Sequence, residues 1–233
     1  MITLYSYPQL FGLEDNNPFG LKVFAFLKLA GLPFEHRHVL DTSAAPRGQL
    51  PYLIDDDETI GDSDAIIAHL TRKYALTLDD ALTGAQRDLD LLVRRTLDDL
   101  YWVMSYSRWR DERYWPQFRD ALLGHPDIGA QALEDARKYN FERYRYQGIG
   151  RYEPEAAYAR GIASLQAMAN LLGDGPFMFG DAPASIDAAL YGFVANIWFY
   201  DIDTPLKGFV GTRDNLVKHC GAMRERMGQS ATP

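Results

Sequence analysis

The amino-acid sequence predicts a small α/β domain followed by an all-helical domain, and three observations carry that prediction. Short β-rich runs alternate with helical patterns over roughly the first third of the chain. Strand signals almost vanish beyond about Thr77. Two long stretches after it, Gln86 to Tyr106 and Pro154 to Leu172, keep helical spacing without an interrupting proline. A connection near Tyr74 to Gly84 sets the expected domains at residues 1–76 and 84–233.

Ile2 to Tyr7 reads as a first strand that ends at Pro8, followed by an irregular stretch holding Gly12, Asp15, Asn16 and Asn17. Asn17-Pro18 opens a helix, because the amide can cap free N–H groups and proline has no N–H to lose at the first helical position. Phe19, Val23, Phe26, Leu27 and Ala30 share one face, which predicts packing on a sheet, and Gly31 ends the helix. Phe34 to Val39 alternates as a second strand. The polar Asp41 to Gly48 segment leads to a third, Gln49 to Ile54, with Pro51 near its start. Asp55-Asp56-Asp57-Glu58 reads as a hairpin turn and Thr59-Ile60 as a short strand. Asp62 or Ser63 caps a helix carrying Ala65, Ile66, Ile67 and Leu70. No internal repeat, low-complexity tract or coiled-coil heptad run interrupts this order.

Composition excludes several function classes. With 47% hydrophobic and 24% charged residues among 233, the chain has a globular balance. A net charge of −8 argues against general attraction to nucleic acid. The N-terminus lacks the basic flank and apolar stretch of a signal peptide, and charges break the apolar runs elsewhere, so no membrane association and a cytoplasmic location are expected. Cys220 is the only cysteine, so no intramolecular disulfide, Cys-x-x-Cys pair or cysteine-rich zinc site can form. The five histidines lack the His-x-x-x-His spacing of a helical metal site. His36 and His38 alternate onto one strand face, which is more often solvated than metal-binding, so no metal is expected.

Three segments agree in order and spacing with one family. Asn17-Pro18-Phe19-Gly20-Leu21-Lys22-Val23, Gly48-Gln49-Leu50-Pro51 and Gly180-Asp181-Ala182-Pro183-Ala184-Ser185-Ile186-Asp187-Ala188 resemble, respectively, the catalytic helix start, the cis-proline turn and the central-helix cap of cytosolic glutathione transferases. The finer pattern, including Asn17-Pro18-Phe19 and Arg108-Trp109, is similar to the failed-axon-connections and metaxin-like branch. The resemblance implies a thioredoxin-like N-terminal domain with a C-terminal helical bundle, a two-fold homodimer, glutathione as co-substrate and a hydrophobic electrophile as partner. One departure is Ala184, where the family carries Thr or Ser three positions before the buried Asp, here Asp187; Ser185 is expected to cap instead.

The resemblance also assigns a glutathione site to Gln49, Leu50, Pro51, Asp62 and Ser63. Leu50 pairs its backbone with the cysteinyl unit and Pro51 holds the turn. Asp62 lies near the ammonium of the γ-glutamyl end, while Ser63 and the helix N-terminus face its carboxylate. Helix capping alone is the competing account of Asp62-Ser63; Arg47 and Gln49 either reach the glycyl carboxylate or are solvated loop positions. Asn17 stands where the family carries a catalytic Ser or Cys. An amide cannot deprotonate, but its N–H can donate to a thiolate. Activation requires about 2.7 kcal/mol, and one charged hydrogen bond supplies about 1.5 to 3. Tyr7, or Tyr5 on the same strand face, is the other candidate donor.

A second-substrate pocket is expected between the domains, where Tyr101, Ser105, Arg108 and Glu112 share one helix face beside an aromatic stripe of Trp102, Tyr106 and Trp109. Glu142-Arg143-Tyr144-Arg145-Tyr146 either lines the same region or forms a solvated face. The function expected is transfer of glutathione to a hydrophobic electrophile. The alternative is a non-catalytic member that carries ligands or partners.

Overall fold

A computed structural model describes the whole chain, Met1–Pro233. Strand β1 (Ile2–Ser6), helix α1 (Pro18–Leu29) and strand β2 (Phe34–His38) form a parallel βαβ unit, and the antiparallel hairpin β3 (Tyr52–Asp55) and β4 (Glu58–Gly61) completes a sheet of order β2-β1-β3-β4. Helix α2 (Ser63–Lys73) follows the hairpin and packs on β3, β4 and α1. This is the thioredoxin-like arrangement the resemblance implies, followed by the all-helical part: α3 (Gly84–Trp109), α4 (Trp115–Leu123), α5 (Ala130–Gln147), α6 (Pro154–Leu172), α7 (Ser185–Trp198), α8 (Pro205–Gly211) and α9 (Asp214–Arg226).

One buried apolar cluster runs from Leu4 and Leu53 of the sheet through Phe26 of α1 to Leu97 of α3 and Phe193 of α7. The two halves therefore share a core. They come close between α1 and α7 at Gly192, where an added Cβ would lie 2.5 Å from the Pro18 carbonyl oxygen and 2.9 Å from the Lys22 backbone nitrogen. Phe19 and Phe193 pack edge to face beside it, ring centres 5.3 Å apart. Only glycine leaves room for the two backbones there.

The acidic hairpin turn spans Asp55 to Glu58, with Asp56 and Asp57 as its two central residues. Asp55 is the last residue of β3 and fully buried, accepting a hydrogen bond from Tyr74 Oη at 2.8 Å, ion-paired with Lys73 Nζ at 2.9 Å and contacting His69 Nε2 at 2.9 Å. Two sequence expectations need correction. Helix α3 ends at Trp109, so Glu112 lies beyond it, exposed and paired with Arg137 at 2.7 Å rather than on the Tyr101 face. Ser185 does not cap α7 with its own hydroxyl. Asp79, from the connection between the domains, accepts the Ser185 N–H at 2.8 Å and the Ser185 hydroxyl at 2.5 Å, while Asp187 accepts the Ala184 N–H at 2.8 Å and the Met178 N–H at 2.7 Å. A carboxylate at a helix N-terminus satisfies an orphan donor and opposes the helix dipole, so Asp79 does the work of the missing hydroxyl at Ala184.

His36 and His38 do share a face, with ring centres 4.3 Å apart, and His36 Nε2 lies 2.7 Å from Ser6 Oγ. Burial, with His38 beside it, pushes His36 down to about 4. No helix is long and apolar enough to cross a membrane.

Candidate functional site

Two cavities open between the halves, and the first turn of α1 stands between them. Asn17 and Pro18 line the less polar one, of about 310 Å³, and Phe19 lines the other, of about 440 Å³. Tyr101 of α3 and Arg143 of α5 line both.

The polar cavity gathers Gln49, Leu50, Pro51, Asp62 and Ser63, residues that sequence reasoning grouped as one site. The Leu50-Pro51 bond is cis. Asp62 is the N-cap of α2: its Oδ1 accepts the N–H groups of Asp64 at 3.0 Å and Ala65 at 3.2 Å, while Oδ2 accepts from Arg47 at 2.7 Å. Capping is thus part of its role. Its backbone sits at φ 77°, ψ 125°, a region open to glycine and strained for other residues, of the kind that collects at binding sites. Arg47 reaches Asp62 rather than standing free, and Gln49 is exposed at the rim.

Ser63 is shaped by residues the sequence reading did not single out. Lys22, on α1 and 3% exposed, donates to Ser63 Oγ at 3.1 Å and to the Asp64 carboxylate. An ammonium has only donors, so Ser63 Oγ must accept from it, and its own O–H proton is free to turn toward the cavity. Burial alone pushes Asp64 up, but the Lys22 charge and hydrogen bond and the Arg94 guanidinium outweigh it and hold its pKa below the usual carboxylate range. Arg94 carries the network on, donating to Asp64 at 3.2 Å and to Ser185 Oγ at 2.7 Å, with Asp90 pairing at 3.0 Å.

On the other side of α1, Asn17 Oδ1 accepts the Phe19 N–H at 3.0 Å as N-cap, which leaves the Nδ2 hydrogens as the donors the amide can offer to a ligand. The Asn17 N–H donates to Asp15 Oδ1 at 2.7 Å. Asp15 is fully buried, its Oδ2 has no partner, and burial pushes its pKa well above the usual carboxylate range despite that hydrogen bond. A Cβ at position 20 would overlap Asp15 Oδ2 at 1.6 Å, which explains Gly20 in the motif. The helical half grips the backbone just before Asn17. Arg108 at 3.0 Å and Tyr200 at 2.8 Å donate to the Asn16 carbonyl, and Asn196 at 3.3 Å to the Asp15 carbonyl.

Of the two strand tyrosines, Tyr7 lines the less polar cavity with Asn17, and Tyr5 stacks flat on Tyr52 with ring centres 4.5 Å apart. Burial, then the nearby Tyr101 and Asp15, push Tyr7 up to about 12, so its hydroxyl is a proton donor at neutral pH. Tyr101, Ser105 and Arg108 all line this cavity, but the hydroxyls of Ser105 and Tyr144 bond each other at 2.7 Å and Arg108 is committed to the Asn16 and Asn196 carbonyls. The rest of the wall is largely apolar, including Met104, Trp109, Phe118, Leu122 and Leu133. Cys220 lies far from either role, fully buried, with burial pushing its thiol up.

A family model of the glutathione S-transferase N-terminal domain matches residues 18–114, and one of the C-terminal domain matches residues 161–223. The chain is 31% identical to the isoprene-epoxide–glutathione S-transferase of Rhodococcus sp. (strain AD45) over 97% of its own length and 99% of the relative's. It is 27% identical to the failed axon connections protein of Drosophila melanogaster over 97% of its length, which spans 58% of that protein. Among solved structures, a beta-etherase from Sphingobium sp. superposes with a TM-score of 0.70 at 15% identity, covering 97% of this chain and 98% of that one. Full-length identity to a transferase, matches to both domain models and the shared two-part fold together place the chain in the glutathione S-transferase-like superfamily.

Proposed function

We propose that the protein binds glutathione in the polar cavity and joins its sulfur to a hydrophobic electrophile held in the less polar one. The observation that carries this reading is the placement of the first turn of α1 between the two cavities. A tripeptide lying along Leu50 and Ser63 would bring its thiol to the side where Asn17 and Tyr7 offer N–H and O–H donors. The γ-glutamyl carboxylate would meet the Ser63 hydroxyl and the N-terminus of α2, an anion site by the sum of free N–H groups and helix dipole.

In the reaction the glutathione S–H proton leaves to solvent and the thiolate attacks an electrophilic carbon. The carbon's bond to its leaving atom breaks, and that atom takes the electron pair. Asn17 Nδ2 and the Tyr7 hydroxyl hold the thiolate without becoming charged themselves. Because the Rhodococcus relative's name specifies an epoxide, a small aliphatic epoxide is the first electrophile to offer. The protein is expected to act as a homodimer without a metal, in the cytoplasm.

A second reading, a non-catalytic carrier of ligands or partners, is favoured by Asn17, whose side chain does not deprotonate and whose oxygen is taken by the helix cap. Titration with glutathione, followed by tryptophan fluorescence, and an epoxide conjugation assay separate the readings. We expect saturable binding that weakens roughly tenfold in Ser63→Ala, equivalent to about 1.4 kcal/mol. Conjugation above the uncatalysed rate is expected to fall roughly tenfold or more in Asn17→Ala and in Tyr7→Phe. Binding without conjugation would favour the carrier; no binding at millimolar glutathione would remove the glutathione site itself.

A further inference from the structure

We propose that Arg143 meets a negatively charged oxygen of the electrophile, making this guanidinium a catalytic and specificity-determining group. The inference rests on the conjugation reading above. Arg143 is partly buried on α5 and lines both cavities, so it faces the place where sulfur and electrophile would join.

Its charge is unanswered within the protein. The cations around the cleft are committed: Lys22 to Asp64, Arg94 to Asp90 and Asp64, Arg95 to Asp98 at 2.9 Å, Arg47 to Asp62 and Arg137 to Glu112. Arg108 has no carboxylate but is fixed on backbone carbonyls. Arg143 pairs with no carboxylate; its Nη1 donates to Asn140 Oδ1 at 3.1 Å, and the Tyr101 hydroxyl lies close to the guanidinium as a second neutral acceptor. Asp127 on the less polar cavity and Asp98 on the polar one both lie outside ion-pairing distance of it.

Aromatic rings hold the group in place and leave most of its five N–H donors unused. The guanidinium carbon lies 5.0 Å from the Trp102 ring centre, 5.6 Å from Tyr139 and 5.9 Å from Tyr101. A planar cation fixed by ring faces keeps a fork of N–H groups oriented for an oxyanion, and such pre-set donors act where charge develops.

Two sources of that oxygen share this chemistry. In epoxide opening the sulfur–carbon bond forms as the carbon–oxygen bond breaks. The oxygen takes the electron pair, is held by Arg143 N–H groups as an alkoxide, and gains its proton from water while Arg143 stays protonated. Alternatively the electrophile carries a permanent carboxylate, which the same donors hold from the moment of binding.

The test compares wild type, Arg143→Gln and Arg143→Lys on styrene oxide, on a carboxylate-bearing epoxide, and on benzyl chloride, whose leaving atom is not oxygen. Binding of glutathione, S-propylglutathione and S-(2-carboxyethyl)glutathione is measured alongside, and a thermal melt confirms folding. With a developing alkoxide, Arg143→Gln lowers kcat for styrene oxide at least thirtyfold and that for benzyl chloride no more than threefold. With a permanent anion, it raises KM for the carboxylated epoxide at least tenfold. It also abolishes any preference of the protein for the carboxylated conjugate over the propyl one. Arg143→Lys keeps the charge but loses the fork and falls between. The proposal is overturned if folded Arg143→Gln matches wild type on both epoxides and both conjugates, or if it loses tenfold affinity for glutathione itself while turnover at saturating glutathione is unchanged. A wild type that conjugates none of the three removes the conjugation reading. The conjugate-binding comparison then decides on Arg143 alone.

Discussion

The two halves meet along two seams built on opposite principles. Between α1 and α7 the seam is dry and close. Gly192 brings two backbones together, Phe19 and Phe193 seal the edge, and Asn17 is set by the helix whose position the contact fixes. Between α1, α2 and α3 the seam is a chain of charges running Lys22, Asp64, Arg94, Ser185 and Asp79, and it sets Ser63. Close packing tolerates almost no added volume, whereas a polar chain tolerates volume but not an unanswered charge. One seam thus governs the proposed sulfur-binding end of the site and the other its carboxylate-binding end.

The largest effect is expected from breaking the dry seam. Gly192→Ala places a methyl group against the rigid backbone of α1, and we expect a loss of about 2 to 3 kcal/mol of stability in chemical denaturation. Conjugation should fall more than glutathione affinity, because Asn17 moves and Ser63 does not. A stability change below about 0.5 kcal/mol would mean that the backbones have slack there.

Breaking the polar seam gives the reverse split. Lys22→Met leaves Asp64 and Arg94 in place but removes the donor to Ser63 Oγ. We expect a loss of about 1 to 3 kcal/mol, with glutathione affinity reduced roughly tenfold and turnover at saturating glutathione little changed. Unaltered glutathione affinity would separate Lys22 from the site.

The smallest effects distinguish the seams by pH. Asp64 is held below the usual carboxylate range, so its stabilisation is present above the unfolded value of about 3.9 and is lost as pH falls through its folded value. Asp15, at the sulfur end, is raised by burial, so wild type binds more protons folded than unfolded and loses stability as pH rises above about 3.9. Relative to wild type, Asp64→Asn should be about 1 kcal/mol less stable at pH 7, with the deficit shrinking as pH falls toward 3. Asp15→Asn, which keeps the acceptor for the Asn17 N–H, should be equal at pH 3 and about 1 kcal/mol more stable at pH 7. Denaturation curves at both pH values test the opposed signs; slopes of the same sign would remove the distinction.

What was legible in the sequence follows the same division. Helix α6 is bounded in the structure by Pro154 and Leu172 as its proline start and the glycine after it suggest. Local signals also located α1 and the Asp62-Ser63 helix start, while the cis-proline turn followed from the family resemblance of Gly48 to Pro51. Strand ends shifted by a few residues, because pairing with a neighbour and not composition decides where a strand stops: β1 ends at Ser6, whose carbonyl takes the Val39 N–H. Asp55 was hidden among four consecutive acids whose burial only the sheet determines. The polar seam was illegible because its partners are 41 residues apart for Lys22 and Ser63 and 106 apart for Asp79 and Ser185. Arg143 sits in a run whose sequence left two readings open, a pocket wall or a solvated face, and only the aromatic rings around it show that its side chain turns inward.

The bond from Asp79 to Ser185 also limits how the gene for this protein can vary. Most surface connections accept insertions readily, since lengthening a loop adds little entropy. Here an extra residue between Lys73 and Asp79 would shift the carboxylate by about 3.3 Å along an extended path, further than a hydrogen bond can stretch. The connection acts as a ruler whose length is read by a helix more than a hundred residues downstream, so deletions and insertions should be better accepted after Asp79 than before it.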